Sequence, residues 1–196
     1  MSLSAPSPRI DADPLVMCVG MMNDVNDKPA DWLDPEEQQV WYSFACLMMR
    51  LPGTLDARMQ ADAGITHYEF LVLFTLFGEE DRTLRMSVLA DLIASSLPRL
   101  SNVAGRMEAR GWLRRRQDPS DGRYTLATLT DEGASVVRSS MAVYNDEVRR
   151  VMFTPLTKAQ QRSAAHIARR MLSAIDPTGG CAQGRLPTSL ALPLSD

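Results

Sequence analysis

The sequence predicts a mainly α-helical protein with a small β-sheet, and three observations support this fold class. Apolar residues recur at three- and four-residue spacing through most of the chain, which is the period of amphipathic helices. One turn-forming stretch, residues 117–122, separates two short runs of β-favouring residues. The segment 95–130 also has seven arginines against three acidic residues, in a chain of formal net charge −3. Arginine concentrated on one part of an acidic protein favours a polyanionic partner, and double-stranded DNA is the usual one.

A β-hairpin is predicted over residues 112–129. Its strands are residues 112–116 and 123–129, and the turn between them contains Pro119, Ser120, Asp121 and Gly122. These residue types supply turn conformations that strands do not adopt. Residues 83–86 are short and partly apolar, and they are predicted to add a third strand to the same sheet.

Immediately before the hairpin, the sequence predicts a helix that begins near Leu97. Ser96 is a good N-cap residue, and Pro98 in the first turn lacks only an N–H that would be unpaired there. Gly111 stands where a left-handed C-terminal cap is expected. Ser87 is predicted to cap a shorter helix over residues 88–93. Two helices joined by a tight turn and followed by a hairpin form a winged helix-turn-helix.

Further helices flank this unit. The run Asp34-Pro35-Glu36-Glu37 predicts a helix start, with the stop at Gly64 and an interruption and kink at Pro52. A very apolar second helix is predicted from Thr66 to Gly78. Thr130 and Thr157 begin two long helices whose apolar stripes have no sufficient partner in the winged helix. Burial of these stripes against a second copy predicts a homodimer.

These patterns divide the chain into a domain and two tails. The predicted parts are a mostly disordered tail over 1–32, one domain over 33–176 with a DNA-binding lobe at about 66–130 and dimerisation helices at about 34–63 and 130–176, and a disordered tail over 177–196.

The order and spacing of short motifs resemble the MarR family of bacterial transcription regulators. The motifs are Ser96-Leu97-Pro98-Arg99-Leu100-Ser101-Asn102, Arg106-Met107-Glu108-Ala109-Arg110-Gly111-Trp112-Leu113, Asp121-Gly122-Arg123, and then Leu126, Leu129-Thr130 and Gly133. The resemblance extends over about residues 34–175. It implies an obligate, triangular homodimer with DNA-binding lobes at two corners and a ligand-sensitive junction between those lobes and the dimer interface.

Several polar side chains are predicted to contact DNA. The candidates are Ser96, Pro98, Arg99, Ser101, Asn102, Arg106, Arg114, Arg116, Asp121 and Arg123. Arg99 has the geometry to bind guanine bidentately and Asn102 to bind adenine. By resemblance, Arg123 enters the minor groove and Asp121 orients it through a salt bridge. A dimer of such lobes predicts a pseudo-palindromic operator.

The resemblance also implies a repressor that is released by a small aromatic or phenolic effector. The candidate lining residues are Trp41, Phe44, Met48, Tyr68 and Tyr144, although aromatic and Met stripes at helical spacing are more often core residues. Two alternatives are redox sensing through Cys46, and a winged helix that serves as a protein-interaction module. The arginines argue against the second alternative.

An enzyme is not predicted, because the two histidines, His67 and His166, fall on different helices without a catalytic pattern beside them. The three widely spaced cysteines match neither a metal site nor a disulfide framework. No cofactor is expected. The apolar run over residues 15–22 is too short to cross a bilayer, so the expected location is the cytoplasm, on the nucleoid, with no membrane partner.

Overall fold

The computed structural model describes residues 33–177, in two compact units that divide between Leu47 and Met48. Its helices are α1 (Pro35–Ala63), α2 (His67–Phe77), α3 (Met86–Leu92), α4 (Leu97–Ala109), α5 (Asp131–Val148) and α6 (Lys158–Ile175), and its strands are β1 (Thr83–Arg85), β2 (Leu113–Asp118) and β3 (Asp121–Leu129). The mainly α-helical class with a small sheet is confirmed. The predicted disordered tails lie outside the described residues, except for the first residue of the second.

The three strands form one antiparallel sheet in the order β1-β3-β2. The central strand β3 places Ala127 opposite Leu84 on one side and opposite Arg115 on the other. The predicted third strand is therefore present. The turn is shorter than predicted, because β2 runs to Asp118 and β3 starts at Asp121, so that only Pro119 and Ser120 form it. A register irregularity lies beside the turn, between Gln117 and Asp118. We refer to the β2–β3 hairpin as the wing.

Helix α4 begins and ends as predicted. Ser96 occupies the N-cap with extended backbone, although its side chain makes no capping hydrogen bond, and Pro98 lies in the first turn. Gly111 has a φ of 75°, and the Trp112 N–H reaches back to the Met107 carbonyl at 3.0 Å. This is the hydrogen bond of a Schellman motif, which a glycine in the left-handed conformation permits. The chain continues from this cap directly into β2.

The predicted start of α3 is wrong. Ser87 lies inside the helix, and Arg85 occupies the N-cap without a side-chain cap bond. Since β1 ends at Arg85, the extended backbone of its last residue already supplies the N-cap conformation. The turn to α4 includes Ala94 at a φ of 50°, a left-handed conformation that is uncommon for alanine. Helices α3 and α4 with this turn form the helix-turn-helix.

Helix α1 begins as predicted, because Asp34 accepts hydrogen bonds from the N–H groups of Glu36 and Glu37, both at 2.9 Å. The predicted interruption does not end it, since Pro52 lies inside a continuous helix. A proline removes one helical hydrogen bond, and the surrounding helical bonds are enough to continue the helix here. Gly64, at a φ of 68°, follows its last turn.

One hydrophobic core joins α2 to the winged helix and to α5. Its fully buried side chains include Met59, Phe70, Val72, Leu73, Leu76, Leu89, Leu100, Met107, Leu113 and Val137. Helix α2 is buried on most sides, as its composition predicted. This core holds α4 and the wing in position without using their outward-facing polar side chains.

The carboxyl-terminal part of the described chain differs from the core, because α6 has no buried residue. Helix α5 ends at Val148, and a π-helical turn follows over Arg149–Phe153. The Thr154 N–H and hydroxyl both bond to the Arg149 carbonyl, which closes that turn. Within residues 33–177, no helix combines the length and apolar character needed to cross a membrane.

Candidate nucleic-acid interface

Helix α4 has one buried face and one polar face. Leu100, Val103, Ala104 and Met107 are buried in the core. The side chains of Ser96, Pro98, Arg99, Asn102 and Arg106 are exposed, and Ser101 is half-buried. Apart from Arg106, which lies in the last turn, these residues form a polar surface at the start of α4, where a helix is able to contact base edges.

Internal ion pairs divide the seven arginines of segment 95–130 into two groups. Arg115 pairs with Glu108 at 2.9 Å and donates to the Ser101 carbonyl at 3.4 Å. Arg110 pairs with Glu69 at 4.0 Å and stacks on the Trp112 ring at 3.5 Å, and Arg123 pairs with a carboxylate of the wing. Each of these three arginines is therefore paired with a carboxylate of the protein itself.

The other four arginines form the second group, which we call the free-arginine group: Arg99, Arg106, Arg114 and Arg116. All four are exposed, and within residues 33–177 none has a carboxylate partner. Their charge is available to an external anion. All four were predicted as DNA contacts, whereas Arg110 and Arg115 were not.

The wing carries the ion pair that the family resemblance implies. Arg123 contacts Asp121 through Nη2 at 2.6 Å and through Nε at 2.9 Å, and 83% of the Arg123 side chain is exposed. The Arg123 guanidinium and backbone N–H lower the pKa of Asp121, so this carboxylate stays ionised near neutral pH. This ion pair orients the Arg123 side chain, which lies at the tip of the hairpin.

Behind the wing tip lies a buried carboxylate whose role the sequence analysis missed. Asp118 accepts hydrogen bonds from the Ser120 hydroxyl at 2.6 Å and N–H at 2.9 Å, and from Arg85 Nε at 2.8 Å. These donors, Ser120 first, lower the pKa of Asp118 to about 2. Arg85 also stacks on the Tyr124 ring at 4.4 Å. Asp118 therefore ties the wing to β1, through a pairing that local sequence patterns do not reveal.

The candidate effector residues do not form one described cluster. Trp41 and Phe44 belong to the first unit, whereas Met48 is exposed at the start of the second. Tyr144 stacks on His67 at 5.8 Å and lies 4.6 Å from the Phe70 ring, and burial raises its pKa. A groove in the second unit has a different lining: Met49, Arg50, Gly53, Thr54, Ala57, Arg58, Ala61, Glu147 and Arg150.

The remaining reactive residues do not assemble into a catalytic or metal site in the described chain. Cys46 is half-buried on α1 and has a free thiol, and Cys18 and Cys181 lie outside the described residues. Burial lowers the pKa of the His67 imidazole, the backbone N–H of His67 donates to Asp56 at 2.8 Å, and His166 is exposed. No group of three or more potential metal ligands occurs within residues 33–177.

Comparison with known proteins gives this geometry a family. The sequence profile of the MarR family matches residues 65–125. The crystal structure of Sco3205, a MarR family transcriptional regulator from Streptomyces coelicolor in complex with DNA, is 39% identical and covers 78% of this chain and 95% of its own, with a TM-score of 0.72. The chain belongs to the MarR family. The residues matched by the MarR profile include every candidate DNA-contacting residue named above.

Two other MarR-type proteins support the same assignment. AbsC from Streptomyces coelicolor is 26% identical, covers 75% of this chain and 99% of its own, and has a TM-score of 0.69. The transcriptional repressor MprA of Escherichia coli K12 is 26% identical over 119 residues, which is 61% of this chain and 67% of MprA. Membership in the MarR family identifies the chain as a transcriptional regulator.

Proposed function

We propose that this protein is a sequence-specific DNA-binding transcriptional regulator, with α4 in the major groove and the wing in the adjacent minor groove. The observation that supports this most directly is the free-arginine group, because four exposed arginines lie on α4 and β2 without described carboxylate partners. The similarity to Sco3205, whose structure contains DNA, supports the same function.

The candidate side chains have distinct roles on DNA. Arg99 and Asn102 read guanine and adenine, because a guanidinium and an amide match the donor and acceptor patterns of these bases in the major groove. Arg106, Arg114 and Arg116 bind phosphates, as do the polar groups of Ser96 and Ser101. Arg123, directed by Asp121, enters the minor groove.

The regulator acts as a homodimer through its terminal helices, at about residues 34–63 and 130–176. Ile167, Met171, Leu172 and Ile175 of α6 are between 37% and 78% exposed although they share an apolar face. Such a face is suited to burial against a second copy. Two lobes then bind a pseudo-palindromic operator with half-sites about one helical turn apart.

DNA binding represses transcription, and a small aromatic or phenolic effector relieves this repression. The protein acts in the cytoplasm, on the nucleoid. The description of MprA as a repressor supports this sign of regulation. Trp41, Phe44, Met48, Tyr68 and Tyr144 are the candidate effector contacts. Release of the protein from DNA by salicylate or a related phenol, measured by fluorescence anisotropy, tests the effector proposal separately.

Sequence-specific binding is tested with the full chain and no assumed operator. The purified protein is used to select duplexes from a randomised library, and recovered duplexes are compared with scrambled duplexes of the same composition. We expect a recovered two-fold-related motif that binds at least roughly a thousandfold more tightly than the scrambled duplex. Equal affinity for both would contradict the proposal.

A further inference from the structure

Tyr68, in the first turn of α2, contacts the start of the helix proposed to read DNA. The Arg99 guanidinium carbon lies 4.4 Å from the centre of the Tyr68 ring, within cation–π distance. The Tyr68 hydroxyl lies 2.6 Å from the Ser95 hydroxyl, in the turn that precedes α4. One tyrosine therefore contacts both the base-reading arginine and the turn that positions its helix.

This contact distinguishes Arg99 from the rest of the free-arginine group. Among the described residues, Arg99 is the one member of that group that stacks on an aromatic ring. An arginine contacts a ring through the face of its planar guanidinium, whereas it binds guanine through N–H groups at the edge of that plane. The two contacts are compatible, so Arg99 is able to keep the Tyr68 ring while it binds a base.

A stacked guanidinium also has less freedom to lose. An unrestrained arginine loses rotamer entropy when it is immobilised on DNA, and this loss opposes binding. Contact with a half-buried ring removes part of that freedom before DNA arrives. The tyrosine is itself held, because its hydroxyl is hydrogen-bonded and its ring packs against the core.

We propose that Tyr68 is a positioning residue for Arg99, which orients the guanidinium for base recognition without contacting DNA itself. This inference rests on the proposed function, because it requires that Arg99 reads a base. Tyr68, in the helix that precedes the helix-turn-helix, therefore contributes to sequence specificity. It does so through its ring rather than through its hydroxyl.

The test uses the duplex recovered by selection and its single-base-pair substitutions. Tyr68→Phe keeps the ring and loses the Ser95 contact, so the discrimination at the base pair read by Arg99 should remain within about twofold of the parent. Tyr68→Leu and Tyr68→Met remove the ring, and that discrimination should fall about two- to fivefold, the size expected for an exposed cation–π contact. Discrimination at the base pair read by Asn102 should not change. Thermal unfolding identifies which variants are folded, and Tyr68→Met is the more conservative replacement because it is unbranched.

A double-mutant cycle separates positioning from general stabilisation. In an Arg99→Ala background, Tyr68→Met should have no further effect on base-pair discrimination. A uniform loss of affinity for every duplex, or the same loss with and without Arg99, would overturn the proposal. So would an Arg99→Ala variant that keeps its discrimination. If the proposed function itself were wrong, the result would be different, because the parent protein would then recover no motif from the library.

Discussion

The backbone carbonyl of Trp112 lies against Gly133, so close that a β-carbon at Gly133 would overlap it. The same β-carbon would lie 2.7 Å from Cδ1 of Leu129. The Trp112 carbonyl also accepts the Thr130 N–H at 3.1 Å, so it is not free to move away. This contact brings the start of β2 and the first turn of α5 together, and only glycine provides the space for it.

We expect Gly133→Ala to destabilise the protein by roughly 3 kcal/mol, because its methyl group meets backbone rather than a flexible side chain. Urea unfolding followed by circular dichroism measures the change. Gly122→Ala is the matched control, since nothing lies within 4 Å of a β-carbon there and it should change stability by less than about 0.5 kcal/mol. Equal stability of the two variants would show that the contact is not tight.

Asp118→Asn should lower stability at neutral pH, because the amide replaces a carboxylate held by Arg85 and Ser120. The pKa of Asp118 is depressed from 3.8 to about 2, so its ionised form stabilises the folded state above pH 4. That stabilisation is lost as the pH falls from about 4 to 2, and the variant and parent should converge there. Asp91→Asn, at an exposed position on α3, provides the control and should leave stability unchanged. A difference that stays constant between pH 7 and pH 2 would rule out an ionised Asp118 as its source.

The wing and α4 should give different DNA-binding defects. Arg123→Ala should weaken binding to specific and scrambled duplexes by similar factors and reduce the salt dependence, because in the proposed complex its guanidinium meets the negative potential of the minor groove and the phosphates rather than a base edge. Asn102→Ala should reduce the binding free energy by about 1–3 kcal/mol on the specific duplex and by less on the scrambled one. Binding isotherms at several salt concentrations measure both effects. If neither variant had any effect, the protein-interaction alternative would be favoured.

The apolar face of α6 should support the dimer. Ile167→Glu places a charge in the proposed interface and should raise the dimer dissociation constant at least roughly tenfold. Ser173→Glu introduces the same charge on the opposite side of α6 and should leave the dimer intact. Sedimentation velocity over a concentration series compares the two. A parent protein that sediments as a monomer would contradict the dimer.

Cys46→Ser should preserve DNA binding and its release by the effector, because the half-buried thiol has no disulfide partner among the described residues. Anisotropy with and without a hydroperoxide tests the redox alternative directly. That alternative gains support if hydroperoxide releases the parent from DNA and leaves the serine variant bound.

Local chemistry predicted the ends of most elements. Thr66, Thr130 and Thr157 each accept a hydrogen bond at a helix N-terminus, and Thr66 and Thr157 also form capping boxes. Gly111 takes the left-handed cap. These features depend on residues within four positions of one another, so a sequence read in order contains all the information needed.

The features that sequence missed depend on distant residues. Arg85 and Asp118 are 33 positions apart, and neither position alone indicates an ion pair. The same applies to Tyr68 and Ser95, which are 27 positions apart. The helix start at Met86 was missed for a related reason, because it depends on β1 pairing with β3. Contacts between residues that are distant in sequence determine these features, and local secondary-structure propensities do not.

The strand order β1-β3-β2 also has a consequence for the order in which the lobe is made. Both outer strands precede the central strand along the chain, and β1 pairs with residues more than forty positions later. A nascent chain that ends at Asp118 therefore contains both outer strands and nothing to join them. Since pairings between distant residues form slowly, we expect the sheet to assemble only after Leu129 has left the ribosome, when a single late strand completes both sides at once.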